Sequence, residues 1–324
     1  MRGTVVGVLR GGPSSEHTVS LKTGHAILTH LPQDRYTARD IYIDRQGVWH
    51  EHGVATAPER VLPMLDAVII GLHGEYGEDG RVQRLLEQYG VPYTGADSFA
   101  SAVAMHKVLT KEKAKEVGLL TPKYHFIGPE DDIETAAITI TRTFPQPVVV
   151  KPVALGSSVG VSVVGGYLPV RKAIEALMQD SMGVLVEELI RGREATAGIV
   201  EHLRGDEYYQ LPPVEIIPPP SATFFDNEVK YNGESQEIVP GRFSKQESIE
   251  LMNQARLMHQ SLGLRHYSRS DFIVSPRGIY FLETNTLPGL TSESLLPKSL
   301  AAVGVKFPDF LSHLVELSLG HKPD

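Results

Sequence analysis

The sequence predicts a mixed fold in which a doubly wound α/β region is followed by α+β structure. Two continuous apolar runs, Thr4–Leu9 and Ala67–Leu72, alternate with helix-like segments, which is typical of a parallel sheet covered on both faces. After about residue 120 the apolar runs become shorter and hairpin turns appear, for example at Arg204-Gly205-Asp206. With 324 residues, the chain is long enough for two or three domains with a sizeable core.

The N-terminal elements have clear start and stop signals. A Gly-Gly-Pro turn follows the first strand, and a helix is predicted from about Ser15 to Leu31 because Ser, Thr and Glu suit a helix N-terminus. A second helix, Arg81–Tyr89, ends at a glycine and leads to a short strand at Val91–Thr94. These elements predict a βαβ domain over residues 1–96.

The central segment is predicted to be a small α+β unit. One long helix is expected at Ser98–Val117, because a glycine and then a proline follow it. Two strands flanking a Gly/Ser-rich loop come next, then a helix and a strand: Val148–Lys151, Val161–Val164, Pro169–Gln179 and Val184–Leu189.

The C-terminal segment combines longer strands with one irregular stretch. The proline-rich Ile217–Pro220 introduces a polar run, Ser221–Ser235, that shows little periodicity. Such a long irregular segment inside a compact domain is usually a functional loop or disordered. A capped helix at Ser244–Leu262, two strands and two helices complete the chain.

The composition excludes several functional classes. Lys and Arg total 31 against 39 Asp and Glu, so the formal charge of −8 argues against nucleic acid as the main partner. The absence of cysteine excludes disulfides, thiolate catalysis and Cys-ligated metals. The apolar start is interpreted as a first strand, not a signal peptide, and no segment has the length of a membrane span, so a cytoplasmic protein is expected.

Two strand-like segments near the C-terminus, Ser270–Val274 and Ile279–Thr284, are expected to form a hairpin. We first assume that Pro276-Arg277-Gly278 is a three-residue loop. The pairs are then Ser275 with Ile279, Ile273 with Phe281, and Asp271 with Glu283.

This hairpin predicts a metal site. Facing carboxylates of Asp271 and Glu283 would lie ~5 Å apart and repel each other unless a cation lies between them. Asn285 is two residues beyond Glu283 and points to the same face. A set of two carboxylates and an amide suits magnesium. The alternative is a surface hairpin with a two-residue loop, which would place Asp271 opposite Leu282.

The loop Leu155–Gly160 could fold over phosphate oxygens, because its small residues offer backbone N–H groups and hydroxyls. It is neither a Walker A loop nor a GxGxxG fingerprint, and most loops of this composition are plain hairpins. Lys151 ends the strand just upstream, where a lysine is either an edge residue or a phosphate ligand.

Acidic and histidine residues at strand ends are further candidates. Glu187 and Glu188 end an apolar strand and Glu194 follows; these acids could accept hydrogen bonds from adenine and ribose, or simply be solvated. Glu16 and His73 follow the two long apolar strands of the N-terminal region, and ligands of open α/β sheets bind at such carboxyl ends. A lone histidine is more often structural, although the acidic loop Gly77–Gly80 favours a site.

Taken together, the segments resemble the D-alanine–D-alanine ligases of the ATP-grasp superfamily over nearly the whole chain. The matching segments are GGPSSEHTVSL (Gly11–Leu21), GLHGEYGEDG (Gly71–Gly80), VPYTG (Val91–Gly95), KPVALGSSVG (Lys151–Gly160), VEELIRGREAT (Val186–Thr196), TFFDNEVKY (Thr223–Tyr231), SRSDF (Ser268–Phe272) and FLETNTLPGLTSESLLP (Phe281–Pro297).

The resemblance implies a three-domain ATP-grasp fold with the nucleotide between the central and C-terminal domains. The expected domains are residues 1–96, 97–188 and 189–324, with a lid at about 221–236. It also implies the ligation of two D-alanine molecules through a D-alanyl phosphate, with ATP and two magnesium or manganese ions, for peptidoglycan precursor synthesis. A homodimer is expected, with neither nucleic acid nor membrane as a partner.

The resemblance also assigns roles to individual residues. Contacts to ATP are implied for Lys107, Lys151, Ser157, Ser158, Glu187, Glu188, Ile190, Glu194 and Lys230. The implied metal ligands are Asp271, Glu283 and Asn285. Arg269 and the Gly289 backbone N–H match the donors that stabilise the oxyanion of the second step.

The substrate residues follow from the same motifs. Glu16 matches the residue that holds the first D-alanine's ammonium group, and His73 is expected near its carboxylate. Ser294 and Leu295 match the pocket for the second substrate. Ser157 and Tyr231 match partners that link Glu16 to the lid.

Several alternatives stay open at this point. A ligase that uses D-lactate or D-serine as acceptor is the nearest one, and Tyr231 counts against D-lactate. A non-catalytic ATP-grasp-like protein would have lost a metal ligand or Arg269, and a dinucleotide oxidoreductase would carry GxGxxG. His106 and Leu155 depart from residues common in the family without removing a catalytic role.

Overall fold

The computed structural model describes residues 3–154, 156, 160–219 and 235–321. The predicted sites at Ser157, Ser158, Lys230 and Tyr231 lie outside these ranges, as does most of the predicted lid. Within them, no helix combines the length and apolar character that a membrane crossing requires.

The first sheet confirms the predicted parallel α/β core. Its strands are β1 (Thr4–Gly11), β2 (Tyr36–Ile43), β3 (Trp49–Glu51), β4 (Val54–Ala55) and β5 (Ala67–Ile70), with α1 (His17–His30), α2 (Pro58–Val61) and α3 (Arg81–Gln88). In the order β4-β3-β2-β1-β5, the central β1 is parallel to both β2 and β5. Sequence reasoning missed β2–β4, and the strand predicted at Val91–Thr94 is only an isolated bridge between Val68 and Tyr93.

The second sheet is antiparallel and smaller. It contains β6 (Tyr124–Ile127), β7 (Val148–Pro152), β8 (Ser162–Val164) and β9 (Val184–Glu188) in the order β6-β9-β7-β8, covered by α6 (Ile133–Thr143) and α7 (Tyr167–Met178). A core of small and branched apolar side chains joins both helices to the sheet. The strand β6 and the helix α6 were not predicted.

The third sheet is antiparallel and has six strands within the described ranges. Its strands are β10 (Arg193–Glu201), β11 (Tyr208–Gln210), β12 (Val214–Ile217), β13 (Gln236–Ile238), β14 (Tyr267–Ser275) and β15 (Gly278–Asn285). The helices α8 (Lys245–Ser261), α9 (Leu295–Ala302) and α10 (Phe307–Ser318) accompany it. The predicted cap of α8 is confirmed, because Ser244 and Glu247 form a reciprocal capping box.

The single helix predicted at Ser98–Val117 is wrong. The chain forms α4 (Ser98–Met105) and α5 (Lys107–Glu116), separated by an extended His106 with φ −88° and ψ 100°. The break has a tertiary cause, because the Lys107 N–H donates to the carbonyl of Val153 (2.9 Å) instead of continuing α4. The interruption places Lys107 at the first turn of a new helix.

The helices α4 and α5 pack on the third sheet rather than on the second. Their small residues Ala100, Ala104 and Ala114 share a core with Phe272 and Phe281 of β14 and β15. A second shared core joins the first sheet to α9 and α10. The carboxyl ends of β1 and β5 consequently lie against the segment that follows β15.

The loop of the β14–β15 hairpin has two residues, not three. Ser275 pairs with Gly278, so the predicted pairs of Ser275 with Ile279 and of Ile273 with Phe281 are wrong. Pro276 suits the first central position of a tight turn, and Gly278 has a φ of +129°, which residues other than glycine rarely adopt. The local turn residues therefore favour the shorter loop.

A β-bulge nevertheless restores the predicted pairing of the two carboxylates. Phe272 faces Phe281 but Asp271 faces Glu283, because the register shifts between Asp271 and Phe272 and Leu282 is the extra residue. Without the bulge, the two-residue loop would have placed Leu282 opposite Asp271. The pairing of Asp271 with Glu283 is confirmed for a different reason from the one predicted.

Candidate active site

Glu16 and His73 meet at the carboxyl end of the parallel sheet, as predicted from their positions after β1 and β5. Both side chains line a cavity of about 1050 Å³. The carboxyl group of Glu16 lies close to the backbone at two glycines. A Cβ at Gly74 would lie 2.8 Å from Oε2 of Glu16, and one at Gly156 would lie 3.1 Å from the same atom. Gly74 also has a φ of +69°, a conformation that favours glycine.

His73 is held at both ring nitrogens by the protein. Its Nδ1 lies 3.0 Å from the carbonyl oxygen of Leu287, and its Nε2 lies 2.7 Å from Oγ1 of Thr23. Because a carbonyl only accepts, Nδ1 carries the proton and Nε2 accepts from the Thr23 hydroxyl. Burial lowers the pKa of His73, against the opposing charge of Glu16, so the ring is neutral. His73 thereby fastens the end of β5 to the segment after β15.

Glu78 is a buried carboxyl that sequence reasoning treated only as part of an acidic loop. It lines the same cavity, and its Oε2 accepts from the Gly74 N–H at 2.6 Å. Burial, reinforced by the charge of Glu16, raises the pKa of Glu78 to about 8. At neutral pH Glu78 is therefore protonated, and it lines this part of the cavity together with Glu16. Its signal in the sequence is the Gly-Glu-Asp-Gly motif.

The raised pKa of Glu78 predicts a specific dependence of stability on pH. The unfolded carboxyl loses its proton near pH 4.5 and the folded one near pH 8, so the contribution is complete below pH 4.5 and is lost as the pH rises to about 8. Relative to Glu78→Gln, the wild-type free energy of unfolding should fall by up to about 1.4 kcal/mol per pH unit in that window. Denaturant titrations of both proteins between pH 5 and 9 measure this difference. Parallel pH curves would contradict a buried, protonated Glu78.

Arg269 and Asp271 form a bidentate pair on β14. The guanidinium donates from Nε to Oδ1 at 2.9 Å and from Nη2 to Oδ2 at 2.8 Å. Thr196 on the neighbouring strand donates its hydroxyl to Oδ1 of Asp271 at 2.6 Å. Burial opposes the charge of Arg269, but the carboxylate of Asp271 outweighs it and raises the pKa of the arginine. A permanent cation thus lies at the wall of the large cavity.

The three predicted metal ligands lie on adjacent strands. Asp271 faces Glu283, and Asn285 faces Arg269. Each carboxylate has a cationic neighbour, since Lys107 Nζ lies 3.2 Å from Oε2 of Glu283 and Arg269 holds Asp271. The described ranges contain no group of three His, Cys, Asp or Glu able to hold a metal. The candidate set instead combines two carboxylates with an amide, and these oxygen donors fit a magnesium ion.

A second cavity, of about 180 Å³, lies between the second and third sheets. Its lining includes Lys151 and Glu187 from the second sheet and Glu194 and Asp271 from the third. It adjoins the large cavity, because both are lined by Lys107, Arg269, Glu283 and Leu295. The two chambers together connect the N-terminal carboxylates to a cleft between two antiparallel sheets.

Glu187 lies buried between two lysines. Its Oε1 is 2.8 Å from Nζ of Lys111, and its Oε2 is 2.9 Å from Nζ of Lys151. Burial opposes ionisation of Glu187, but the two cations outweigh it and lower its pKa. Although Lys111 is close, Oε1 accepts no well-directed hydrogen bond from the part of the chain that is described. Sequence reasoning missed Lys111, whose signal was its position one helical turn after Lys107.

The other residues predicted to contact ATP have different surroundings. Glu188 accepts from the Lys123 N–H at 3.1 Å and pairs with Arg277 at 3.2 Å, so its side chain is held at the rim. Ile190 is buried and contributes an apolar surface to the smaller cavity. Glu194 lies opposite Ile273 in the third sheet and lines the smaller cavity.

The segment after β15 forms another wall of the large cavity. A Cβ at Gly289 would lie 2.7 Å from Oγ of Ser294, so the backbone passes close to the Ser294 side chain here. The Ser294 hydroxyl accepts from the Thr291 N–H at 3.1 Å. Leu295 begins α9 and lines both cavities. The structure therefore places these predicted residues at the chamber that contains Glu16.

Comparisons with known proteins agree over nearly the full length. The family model described as D-ala D-ala ligase N-terminus matches residues 5–62 and 52–96, and D-ala D-ala ligase C-terminus matches residues 114–316. The D-alanine–D-alanine ligase of Syntrophobacter fumaroxidans is 38% identical over 318 residues, which cover 97% of each chain. That of Pelotomaculum thermopropionicum is 38% identical and covers 97% of this chain and 96% of the relative.

Solved structures give the same result for the fold. The VanG D-Ala:D-Ser ligase from Enterococcus faecalis has a TM-score of 0.85 and 27% identity, covering 98% of this chain and 100% of that one. The D-alanine–D-alanine ligase from Bacillus anthracis complexed with ATP has a TM-score of 0.81 and 30% identity, covering 99% and 98%. The predicted ATP-grasp fold class is confirmed, and the chain belongs to the D-alanine–D-alanine ligase family of enzymes.

Proposed function

We propose that this enzyme joins two D-alanine molecules into D-alanyl-D-alanine in the cytoplasm, converting ATP to ADP and phosphate, for peptidoglycan precursor synthesis. The observation that carries the proposal is the pair of adjoining cavities. The larger is lined by the carboxyl group of Glu16, which suits an ammonium group, and the smaller is lined by the buried lysines Lys107 and Lys151 between two sheets. Lys107 and Arg269 stand at their junction, where two anionic substrates would meet.

The reaction explains why cations gather at this junction. A carboxylate is a poor acyl donor, so the carboxylate of the first D-alanine attacks the γ-phosphate and becomes an acyl phosphate. That step brings two anions together, and neutralising their charge lowers the barrier. Glu16 would bind the ammonium group of the first D-alanine, while His73 keeps the loop in place.

The smaller cavity would hold the nucleotide. Lys107 and Lys151 would bind its phosphates, and the carboxylate of Glu187, which lines this cavity, is suited to accept from the adenine amino group. Ile190 would contact the base, Glu194 would accept from the ribose, and the strand end at Glu188 would supply backbone contacts. Ser157, Ser158 and Lys230 are proposed phosphate contacts from the sequence alone.

Two magnesium ions, or two manganese ions, would be held by Asp271, Glu283 and Asn285. Bound there, the metal would neutralise phosphate charge and orient the γ-phosphate. Lys107 lies beside Glu283 and Arg269 beside Asp271, so each proposed carboxylate ligand has a cationic neighbour.

Arg269 and the Gly289 N–H would stabilise the oxyanion that forms when the second D-alanine's amine attacks the acyl phosphate. Ser294 and Leu295 would bind that second substrate at the N-terminus of α9, where a carboxylate is favoured. From the sequence resemblance alone, we further propose a lid at about residues 221–236, most of which lie outside the described ranges, with Tyr231 and Ser157 linking it to Glu16. Excluded water would protect the acyl phosphate.

The proposed domains are residues 1–96, 97–188 and 189–324. Because α4 and α5 share a core with the third sheet, they would join the central part to the C-terminal part. We also propose a homodimer in solution, which sedimentation would test.

A product assay tests the function. The protein is incubated with ATP, magnesium and D-alanine, alone or with D-serine or D-lactate, while phosphate release and product mass are followed. We expect one D-alanyl-D-alanine per phosphate and a preference for D-alanine over both other acceptors. Preferred formation of D-alanyl-D-serine would keep the reaction class but change the acceptor. Nucleotide binding without any condensed product would contradict the proposal.

A further inference from the structure

The helix α5 carries two lysines that face carboxylates of two different sheets. Lys107 and Lys111 are four residues apart and therefore lie on one face of the helix. Lys107 Nζ lies 3.2 Å from Glu283 of the third sheet, and Lys111 Nζ lies 2.8 Å from Glu187 of the second. The helix thus links both walls of the smaller cavity through ion pairs.

The two lysines differ in their access to a ligand. Lys107 lines both cavities, whereas Lys111 has a fully buried side chain behind Glu187 and donates to Oγ1 of Thr121 at 2.9 Å. Lys111 is therefore fixed in the protein and does not reach the cavity. Its nearest charged neighbour, Glu187, is the main route by which Lys111 would influence a nucleotide.

The charge of the buried cluster is unusual because two cations share one anion. Glu187 is buried and has Lys111 on one oxygen and Lys151 on the other. A single lysine would be sufficient to neutralise this carboxylate. Burying a second lysine is costly, and burial indeed lowers the pKa of Lys111 to about 8, so the second cation needs a physical reason.

The second cation becomes necessary when Lys151 moves from Glu187 to bind a nucleotide phosphate. If Lys111 were absent, moving Lys151 away from Glu187 would leave a buried carboxylate without a counter-ion, which is strongly unfavourable. Lys151 would then stay with Glu187 and contribute little to phosphate binding. With Lys111 in place, Glu187 remains neutralised after Lys151 has moved.

We propose that Lys111 is a positioning residue that holds Glu187 as an ionised acceptor and so releases Lys151 to bind the nucleotide phosphates. The proposal rests on the nucleotide site proposed above and assigns a function to a residue outside the contact set. Its specific consequence is that Lys111 matters for phosphate-dependent affinity and hardly at all for binding of the base and sugar.

Calorimetric titration with adenosine and with magnesium-ADP tests this consequence, using the ratio of the two dissociation constants. In Lys111→Met the advantage of ADP over adenosine should shrink by roughly tenfold or more, since Lys151 stays bound to Glu187. In Glu187→Gln, the further change Lys111→Met should leave the ratio unchanged within about twofold, because no buried anion remains to capture Lys151. The matched control is Lys113→Met, because Lys113 is an exposed lysine on the same helix.

The outcomes separate the two levels of the proposal. An unchanged ratio in Lys111→Met would overturn the inference. If both affinities fall equally, Lys111 has a general packing role; if neither falls, Lys111 has no role in nucleotide binding. If Lys111→Met does not fold, the comparison made in the Glu187→Gln background decides, and a tenfold effect of Lys111 there would overturn the inference. Absence of ADP binding by the wild-type protein would instead refute the proposed nucleotide site.

Discussion

Replacing Glu283 by Gln is expected to reduce ligation by about three orders of magnitude or more while the protein stays folded. Glu283 is one of two facing carboxylates, and the amide removes a charged ligand from the metal site that it would form with Asp271 and Asn285. Losing several kcal/mol of charge stabilisation in the transition state corresponds to such a factor, because each 1.36 kcal/mol is tenfold.

Stability should respond differently from activity in this variant. Asp271 and Glu283 repel each other across the strands, and Glu283 also attracts Lys107 at 3.2 Å, so removing its charge loses one ion pair and relieves one repulsion. We expect the midpoint of denaturant unfolding to stay close to that of the wild type. Steady-state rates over a range of magnesium concentrations measure the loss of activity.

The surface pair of Glu175 with Arg171 provides the control. Glu175→Gln removes the same charge on α7 and should leave the rates unchanged. Wild-type turnover by Glu283→Gln at ordinary magnesium concentrations would refute the metal assignment.

Replacing Arg269 by Met should damage both catalysis and stability. The guanidinium would no longer stabilise the oxyanion, and removal of one such donor typically lowers turnover by about 10²–10³-fold. The same change leaves Asp271 facing Glu283 without its bidentate partner, and breaking a largely buried pair costs about 3 kcal/mol. Turnover and the free energy of unfolding should therefore both fall.

The two effects of Arg269 can be separated by a second change. In Arg269→Met combined with Asp271→Asn, the unpaired charge is gone, so most of the lost stability should return. Turnover is compared between the wild type and Arg269→Met alone, because Asp271 is itself a proposed metal ligand. Arg269→Lys keeps the charge without the bidentate geometry and should lie between the wild type and the Met variant in stability. Wild-type turnover by folded Arg269→Met, under conditions that offset its lower stability, would show that Arg269 is only a structural counter-ion.

Much of the candidate site could be predicted from the chain because its residues stand at the ends of recognisable elements. Glu16 and His73 follow buried strands, and the topology of a parallel sheet brings such positions to one edge. Asp271 and Glu283 lie in two strand-like segments joined by a short turn. In each case the sequence contains both the local pattern and the polar residue at its end.

The missed elements have weak local patterns. The strand β2, YTARDIYI, contains exposed charged residues, and its pairing with β1 rather than apolar content identifies it. Glu78 and Lys111 are polar residues that resemble surface residues in the sequence. Only burial by distant segments, which raises the pKa of one and lowers that of the other, distinguishes them.

The sequence by itself determined the change from a parallel α/β region to antiparallel structure, the polar residues at several strand ends and the family to which the chain belongs. These properties depend on local periodicity, turn residues and short motifs, which need no partner to be recognised. The tertiary structure decided the break at His106, the bulge at Leu282 and the pairing of Glu187 with Lys111. Each of these features depends on hydrogen bonds, strand pairing or burial between segments far apart in the chain. Such tertiary interactions outweigh the conformational preferences of the local sequence.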